Sequence, residues 1–192
     1  GNDPASHVYV RNKQRACERC GIKSTRIDLP NDVSQDQLMQ VVMDLNADES
    51  VHGILVQSPT PTGTDELEIT AAINPAKDVD GFHPVNLGRL VMGQTDGLLP
   101  CTPAGVMQML EDAEIDLVGK KAVVIGRSRI VGMPLALLLA QKGIDATVTI
   151  AHSRTEDIAD ICRSADLVVA AVGRPGTVKA DWIKPGATVI DV

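Results

Sequence analysis

Hydrophobic positions recur along the first hundred residues in two periods, one typical of helices and one typical of strands. The predicted elements are, in order, a helix over 5–20, a strand over 22–29, a helix after 34–37, a strand over 53–57, a helix over 64–73 and a polar loop over 75–86. Gly21 is placed to end the first helix as a C-terminal cap. Ser34 to Gln37 has the pattern of a capping box, with Leu38 and Leu45 on one face of the helix that follows.

Beyond residue 100 the apolar runs alternate between the two periods more regularly. Thr102 is a good helix N-cap and Pro103 a good first helical residue. The predicted elements are a helix ending near 113, a strand over 121–126, a helix over 131–142, a strand over 146–151, a helix over 156–164, and strands over 167–172 and 188–192. This alternation predicts parallel strands with right-handed crossovers. We therefore expect an α/β fold of two α/β domains divided near residue 100, the second a doubly wound Rossmann-type parallel sheet.

Composition narrows the class of protein. Apolar residues make up 44% of the 192, but the only aromatics are Tyr9, Phe82 and Trp182, and the formal charge is −7. Few aromatic rings and a negative charge disfavour nucleic-acid binding, and no apolar run approaches the ~18 residues of a membrane span. We expect a cytoplasmic protein without nucleic-acid or membrane partners. The start at Gly1 without Met leaves organellar targeting open.

The four cysteines do not form a dense disulfide framework. Cys17 and Cys20 make a lone C-x-x-C inside a predicted helix, without a second pair. A zinc or redox site is one interpretation, and buried thiols in a reducing compartment are the other, which we favour. We expect no metal.

A strand, a tight turn and a helix start follow each other at residues 122–134. The apolar run ends at Gly126, and Gly132 and Pro134 open the next helix. Such a turn presents backbone N–H groups and a positive helix end to a phosphate. The pattern is G-x-S-x-x-x-G-x-P rather than G-x-G-x-x-G, so glycines that only make a tight turn are the alternative.

The end of the second strand favours NADP over NAD. An NAD site commonly has an acidic residue there, whereas this chain has His152, Ser153 and Arg154. Cations and hydroxyls, with Arg127 and Ser128 nearby in the turn, suit the additional 2′-phosphate of NADP. A solvated surface cation is the alternative for Arg154.

Tyr9 and Lys13 are four residues apart and share one face of the first predicted helix. A core tyrosine beside a solvated lysine would explain them. The Y-x-x-x-K spacing also occurs in short-chain dehydrogenases, but there the dinucleotide turn precedes the pair, whereas here it follows.

Five segments in order carry a more specific resemblance. They are residues 4–13 (PASHVYVRNK), 53–57 (GILVQ), 77–82 (KDVDGF), 100–105 (PCTPAG) and 126–134 (GRSRIVGMP). Together they resemble the bifunctional methylenetetrahydrofolate dehydrogenase/cyclohydrolase family. The resemblance implies oxidation of methylenetetrahydrofolate by NADP, then hydrolysis of the methenyl cation to 10-formyltetrahydrofolate. It also implies a folate substrate and a homodimer.

The resemblance assigns roles to individual residues. Lys13 manages protons during ring opening, Gln57 orients Lys13, Tyr9 packs against the folate, Asp80 binds the pterin edge, and Ser6 is a supporting substrate contact. The residues implied to bind the cofactor lie at three strand ends: Gly126, Arg127, Ser128, Ile130, Gly132, His152, Ser153, Arg154 and Gly173.

The chain also departs from the family pattern. Ser58-Pro59-Thr60-Pro61 stands where the family usually has Leu-Pro-Leu-Pro. The family also has a further helix and strand before this region and a glycine-rich loop and closing helix after it. We therefore expect a folate-binding domain over 1–100 truncated at its N-terminus and an NAD(P)-binding domain over 101–192 truncated at its C-terminus. An inactive or partial dinucleotide-binding module and a short-chain-type dehydrogenase stay open as alternatives.

Overall fold

The chain divides into two compact units, Gly1–Val79 and Asp80–Val192. The computed structural model describes residues 4–94 and 96–192, with side chains from residue 8 onward. The division falls before the domain boundary predicted near residue 100. The reason is a helix over residues 84–91 that packs within the second unit, where the Gln141 side chain donates a hydrogen bond to its Leu90 carbonyl at 3.0 Å.

Three helices form the first unit: α1 (Pro4–Arg19), α2 (Gln35–Ala47) and α3 (Glu66–Ala72). Gly21, at φ 71°, ends α1 as predicted. Its N–H donates to the Glu18 carbonyl at 3.2 Å and the Ile22 N–H donates to the Cys17 carbonyl at 2.8 Å. This pair of hydrogen bonds is the Schellman motif, which requires a residue in the left-handed region.

The predicted capping box starts α2. Ser34 Oγ accepts from the Gln37 N–H at 3.2 Å, and Gln37 Oε1 accepts from the Ser34 N–H at 3.0 Å. A cap of this kind stabilises a helix by about 1 kcal/mol. It sets Leu38 and Val42 into a core that also contains Val33, Ile54, Ile69 and Ile73.

The two strands predicted in the first unit are wrong. Residues 22–29 form no strand, and Ile22 and Ile27 are 58% and 48% exposed. Residues 53–57 make a single parallel bridge, Ile54 with Asp78, rather than a ladder. Alternation of apolar side chains indicates which face would be buried, but a strand also needs a neighbour for its backbone N–H and C=O groups.

The second unit is a doubly wound parallel sheet, which confirms the predicted fold class. Its elements are α4 (Pro84–Val91), α5 (Cys101–Asp112), β1 (Lys121–Ile125), α6 (Gly132–Ala140), β2 (Thr147–Ala151), α7 (Ile158–Ser164), β3 (Leu167–Ala170) and β4 (Thr188–Asp191). The strands pair in the order β2-β1-β3-β4, all parallel. The predicted ends of these strands and of α6 and α7 differ from the observed ends by only one or two residues, the usual uncertainty of element boundaries.

The two faces of the sheet carry separate cores because successive strand residues point to opposite sides. Val124 and Val169 belong to the core that includes residues of α5 and α6, whereas Val123 and Val168 belong to the core that includes Cys162 of α7. Central strands β1 and β3 are buried on both faces, as expected of a parallel sheet covered on both sides.

Two local predictions differ from the structure. The polar loop predicted to Asn86 ends earlier, because His83 caps α4 by accepting the Val85 N–H on Nδ1 at 3.0 Å, and Pro84 opens the helix. Thr102 is not the N-cap of α5, since the helix already begins at Cys101 after Pro100. A proline at position 100 supplies a fixed φ but no capping side chain.

Candidate functional site

Lys13, Gln57 and Tyr9 lie together in the first unit. Lys13 Nζ donates to Gln57 Oε1 at 3.4 Å, across a part-buried contact. The same Nζ lies 5.8 Å from the centre of the Tyr9 ring, within reach of a cation–π attraction. The four-residue spacing on α1 produces this arrangement, because such residues are neighbours on a helix surface. Tyr9 is 65% exposed, so its ring is a free face beside the lysine.

Gly53 leaves room for the Val79 side chain beside the segment that leads to Gln57. A Cβ on Gly53 would lie 2.4 Å from Val79 Cγ1, closer than atoms can pack. The Ile54 N–H donates to the Lys77 carbonyl at 2.7 Å, so this segment runs beside residues 77–79. The sequence of residues 53–57 alone does not explain the glycine at position 53. The reason is its neighbour in the fold, Val79.

Ser6 and Asp80 are the other two residues predicted to bind substrate, and the structure gives less detail about them. Ser6 lies in α1, and its side chain is outside the described part of the chain. Asp80 starts the second unit, two residues after the buried Asp78, and is itself half-buried.

Gly126 and Gly132 make the turn after β1 possible. Gly126 has φ +122°, and a Cβ there would lie 2.2 Å from the Ala171 carbonyl oxygen. A Cβ on Gly132 would lie 2.3 Å from the Gly126 carbonyl oxygen. The turn therefore packs against the end of β3, and α6 packs against the turn. Close packing of this kind is the role of glycines in dinucleotide-binding turns.

Ser128 has a function in this turn that the sequence motif alone does not reveal. Its Oγ accepts from the Val131 N–H at 3.1 Å and the Gly132 N–H at 3.3 Å, and its carbonyl accepts from the Met133 N–H at 3.0 Å. Val131 is the N-cap of α6 and has no capping side chain, so Ser128, three residues earlier, supplies the capping oxygen instead. These three N–H groups are thus engaged within the protein, and the Ser128 O–H is still able to donate.

The ends of β1, β2 and β3 lie side by side because these strands are neighbours in the sheet. After β2, His152 Nδ1 accepts from the Arg154 N–H at 3.2 Å, and the His152 N–H donates to Thr155 Oγ1 at 2.9 Å. Ser153 and Arg154 are exposed in this turn. Gly173, at φ 60°, follows β3 and is also exposed. The three loops form the edge at which ligands of such sheets bind.

Arg127 and Arg129 line a small cleft beside the turn. Its volume is about 180 Å³, and its other lining residues are apolar: Leu87, Val91, Met133, Pro134 and Leu137. Pockets for drug-sized ligands are about 300–1,000 Å³, so this cleft alone would not hold a dinucleotide. Ile130, predicted to contact the cofactor, is 41% exposed.

The cysteines do not form a metal site. Among the described residues no group of His, Cys, Asp or Glu could hold a metal ion. All four thiols are free, but the prediction of buried thiols at Cys17 and Cys20 is wrong, because Cys20 is exposed and Cys17 is only half-buried. Cys101 is also exposed, and Cys162 is buried. Burial raises the pKa of the Cys162 thiol. No helix in the described part of the chain is long and apolar enough to cross a membrane.

Two family models match the two halves of the chain. Residues 1–80 match the catalytic domain of tetrahydrofolate dehydrogenase/cyclohydrolase, and residues 100–192 match its NAD(P)-binding domain. The chain belongs to this family. The family match decides against the short-chain-type dehydrogenase that the Tyr9–Lys13 spacing left open.

Individual relatives agree with the family models. "Bifunctional protein FolD" of Acetivibrio thermocellus is 53% identical over 193 residues, which cover 100% of this chain and 66% of that protein. A crystal structure of bifunctional FolD from Campylobacter jejuni superimposes with a TM-score of 0.97 at 47% identity, covering 100% of this chain and 67% of that chain. The Trypanosoma brucei enzyme, complexed with NADP cofactor and inhibitor, has a TM-score of 0.93 at 43% identity, with 98% and 64% coverage. The chain thus spans about two thirds of the length of these relatives.

Proposed function

We propose that the protein oxidises 5,10-methylenetetrahydrofolate with NADP and hydrolyses the product to 10-formyltetrahydrofolate. The observation that carries this proposal is the hydrogen bond from Lys13 to Gln57 beside the exposed ring of Tyr9, within a region that matches the family's catalytic domain. The NAD(P)-binding match over residues 100–192 supports the oxidation half of the reaction.

The folate is bound by an aromatic face and by polar groups. Tyr9 offers a flat exposed surface on which the pterin ring can stack. The carboxylate of Asp80 is suited to adjacent N–H donors on the pterin edge. The Gln57 Nε2 donates to the Ser58 carbonyl at 2.9 Å, which fixes the orientation of the amide.

NADP fits the three loops at the carboxyl edge of the sheet. The glycine turn allows close backbone approach, and Ser128 keeps a hydroxyl donor at the start of α6. Arg127, Ser153 and Arg154 supply cations and a hydroxyl without an acidic residue, which favours the 2′-phosphate of NADP over NAD. When bound, NADP accepts the hydride that methylenetetrahydrofolate loses.

Ring opening requires a proton acceptor, which hydride transfer does not. Water attacks the methenyl carbon as the C=N electron pair moves onto nitrogen, and Lys13 in its amine form takes a proton from that water. Lys13 then returns the proton to N5 as the bond between the carbon and N5 breaks, the remaining hydroxyl proton is released to solvent, and the formyl group stays on N10. An amine that donates to Gln57 Oε1 has its lone pair directed away from that oxygen. The Lys13–Gln57 bond therefore orients the base.

Three further properties belong to this proposal. The protein forms a homodimer, acts in the cytoplasm and supplies one-carbon units for purine biosynthesis. The family membership supports each of them, and the net charge of −7 is consistent with a protein free in solution.

The second candidate is a partial module that binds the dinucleotide without catalysis. It is favoured by the first unit, in which residues 22–29 form no strand and are largely exposed. Such a module would bind NADP through the second unit and show no turnover.

One assay separates these candidates. The assay uses two proteins, the 192-residue chain and the same chain extended at both ends by the flanking coding sequence. Each is supplied with methylenetetrahydrofolate and either NADP or NAD, and the formation of NADPH or NADH is followed by absorbance. Lys13→Met is expected to lower methenyl hydrolysis about 100-fold or more, the typical range of general-base catalysis, and to keep hydride transfer. Lys23→Met, a change in an exposed segment, is the control. NADP binding without turnover in either chain would support the module instead.

A further inference from the structure

The ammonium group of Lys77 lies where three backbone carbonyls at the end of α2 converge. Lys77 Nζ donates to the carbonyl oxygens of Leu45 at 3.1 Å, Asn46 at 2.8 Å and Asp48 at 2.8 Å. An ammonium has three donors, so all of them are used. The last turn of α2 contains no basic residue of its own, and Lys77 supplies the positive charge that a helix C-terminus favours.

The backbone of the same residue holds the segment that leads to Gln57. The Lys77 carbonyl accepts from the Ile54 N–H at 2.7 Å, and the Lys77 N–H donates to the Asn74 carbonyl at 2.7 Å. Ile54 and Asp78 then make one parallel bridge. Gln57 follows Ile54 by three residues. The position of Gln57 beside Lys13 of α1 therefore depends on where Lys77 holds Ile54.

Asn46 strengthens this anchor from the helix side. Its Oδ1 accepts from the Asn74 N–H at 2.8 Å, and its Nδ2 donates to the Ala72 carbonyl at 2.7 Å. The ends of α2 and α3 and the turn before Lys77 are thereby tied together. A segment with one bridge rather than a strand ladder gains its fixed position from this tether.

We propose that Lys77 is a positioning residue for ring opening, which acts by fixing Gln57 where it accepts the hydrogen bond of Lys13. This inference rests on the proposed function. Lys77 lies at the end of α2, and its effect passes through the backbone of Ile54 to Gln57. Hydride transfer needs no base, so it is not expected to depend on this tether.

The test compares the two half-reactions in Lys77→Met and in the milder Lys77→Gln. Because displacing a catalytic group by ~1 Å can cost about 100-fold, ring opening is expected to fall by about 10- to 100-fold in kcat. The rate of NADPH formation and the KM for the folate are expected to stay near those of the wild type. Equal losses in both half-reactions would mean a merely structural role and would overturn the proposal.

A double-mutant cycle shows whether Lys77 acts through Gln57. Once Gln57→Ala has removed the acceptor, adding Lys77→Met should have little further effect on ring opening, because coupled residues are non-additive. Fully additive losses would contradict the proposal. Asp65→Ala is the matched control: it removes the N-cap of α3, where Asp65 accepts from the Leu67 N–H at 2.8 Å, and so lowers stability in the same unit at the end of α3 opposite the tether.

A chemical measurement keeps the test independent of activity. Pulsed acylation with acetic anhydride, followed by peptide mass analysis, reports how freely the Lys13 amine reacts. Lys77→Gln and Gln57→Ala should both raise Lys13 labelling relative to Asp65→Ala, and unchanged labelling would overturn the proposal. If the wild-type protein does not catalyse ring opening but the variants show this labelling pattern, the proposed function is disproved. The role of Lys77 in positioning Gln57 beside Lys13 is then still supported.

Discussion

Gly132 permits the tight turn after β1 because it has no Cβ. A Cβ at this position would lie 2.3 Å from the Gly126 oxygen, 2.6 Å from its carbonyl carbon and 2.9 Å from the Arg127 nitrogen. All three atoms belong to the backbone, which cannot rotate away. Gly132→Ala should therefore destabilise the protein by about 1–3 kcal/mol, the usual cost of overpacking, and raise the KM for NADP. Thermal unfolding and NADPH formation measure the two effects.

Gly88 is the matched control because it lies inside α4 with nothing within 4 Å of its would-be Cβ. Gly88→Ala should stabilise the protein by about 0.5–1 kcal/mol, since alanine loses less conformational entropy in a helix. If Gly132→Ala were as stable as the wild type, or were stabilised as Gly88→Ala is expected to be, the turn would have room for the methyl group and the prediction would be contradicted.

At the scale of elements, Asp166 joins the starts of three strands. Its Oδ2 accepts from the Lys121 N–H of β1 at 2.8 Å, its Oδ1 accepts from Lys184 Nζ at 2.6 Å, and its carbonyl accepts from the Thr188 N–H of β4 at 2.8 Å. The bond from Lys184, and then that from Lys121, hold the pKa of Asp166 below its ordinary value of 3.8. A lowered folded-state pKa stabilises the fold above the ordinary value, and this stabilisation is lost as the pH falls through the lowered one.

Asp166→Asn is therefore expected to cost stability at neutral pH and to cost progressively less in acid. Urea unfolding from about pH 7 to about pH 3 should show the difference between the free energies of unfolding of the two proteins narrowing as the pH falls below 3.8, the ordinary pKa of this carboxyl. Glu156→Gln, an exposed change in the same unit, serves as the reference. A difference that stays constant down to the lowest pH would mean that the carboxylate charge contributes nothing.

The elements of the second unit could be predicted because their apolar runs are buried on both sides, as in β1 and β3. Residues 22–29 have the same kind of pattern without a neighbour to pair with, and pattern carries no information about neighbours. The sequence does not predict α4, because Pro84 lies in a polar segment typical of a loop, whereas in the structure it opens the helix after the His83 cap. Local signals thus identified elements that tertiary contacts then complete.

For the whole molecule, the site could be predicted in part. The resemblance named Lys13 and Gln57, and the structure brings them within hydrogen-bonding distance. The capping by Ser128 and the tether at Lys77 could not be predicted, because each depends on contacts between backbone groups whose approach is set by the fold.

Each unit has its own hydrophobic core, with Leu38 and Ile69 in the first and Leu135 and Val168 in the second. Separate cores predict separate unfolding steps. Trp182 is the only tryptophan and packs against the core around Cys162, so its fluorescence reports the second unit alone. Helical circular dichroism reports both.

NADP should therefore stabilise the second unit and shift its unfolding transition, without changing the unfolding transition of the first unit. At a concentration about 100 times its Kd, a ligand that binds only the folded unit stabilises it by about 2.7 kcal/mol. The free energy of unfolding measured by Trp182 fluorescence should rise by that amount, so its urea midpoint moves higher. The part of the circular dichroism signal that comes from α1, α2 and α3 should unfold at the same urea concentration as without NADP. In Gly132→Ala the shift should shrink, because the substitution displaces the turn at which we propose that the phosphates bind. If both signals moved together with NADP, the two units would unfold as one, and separate cores would not mean separate stability.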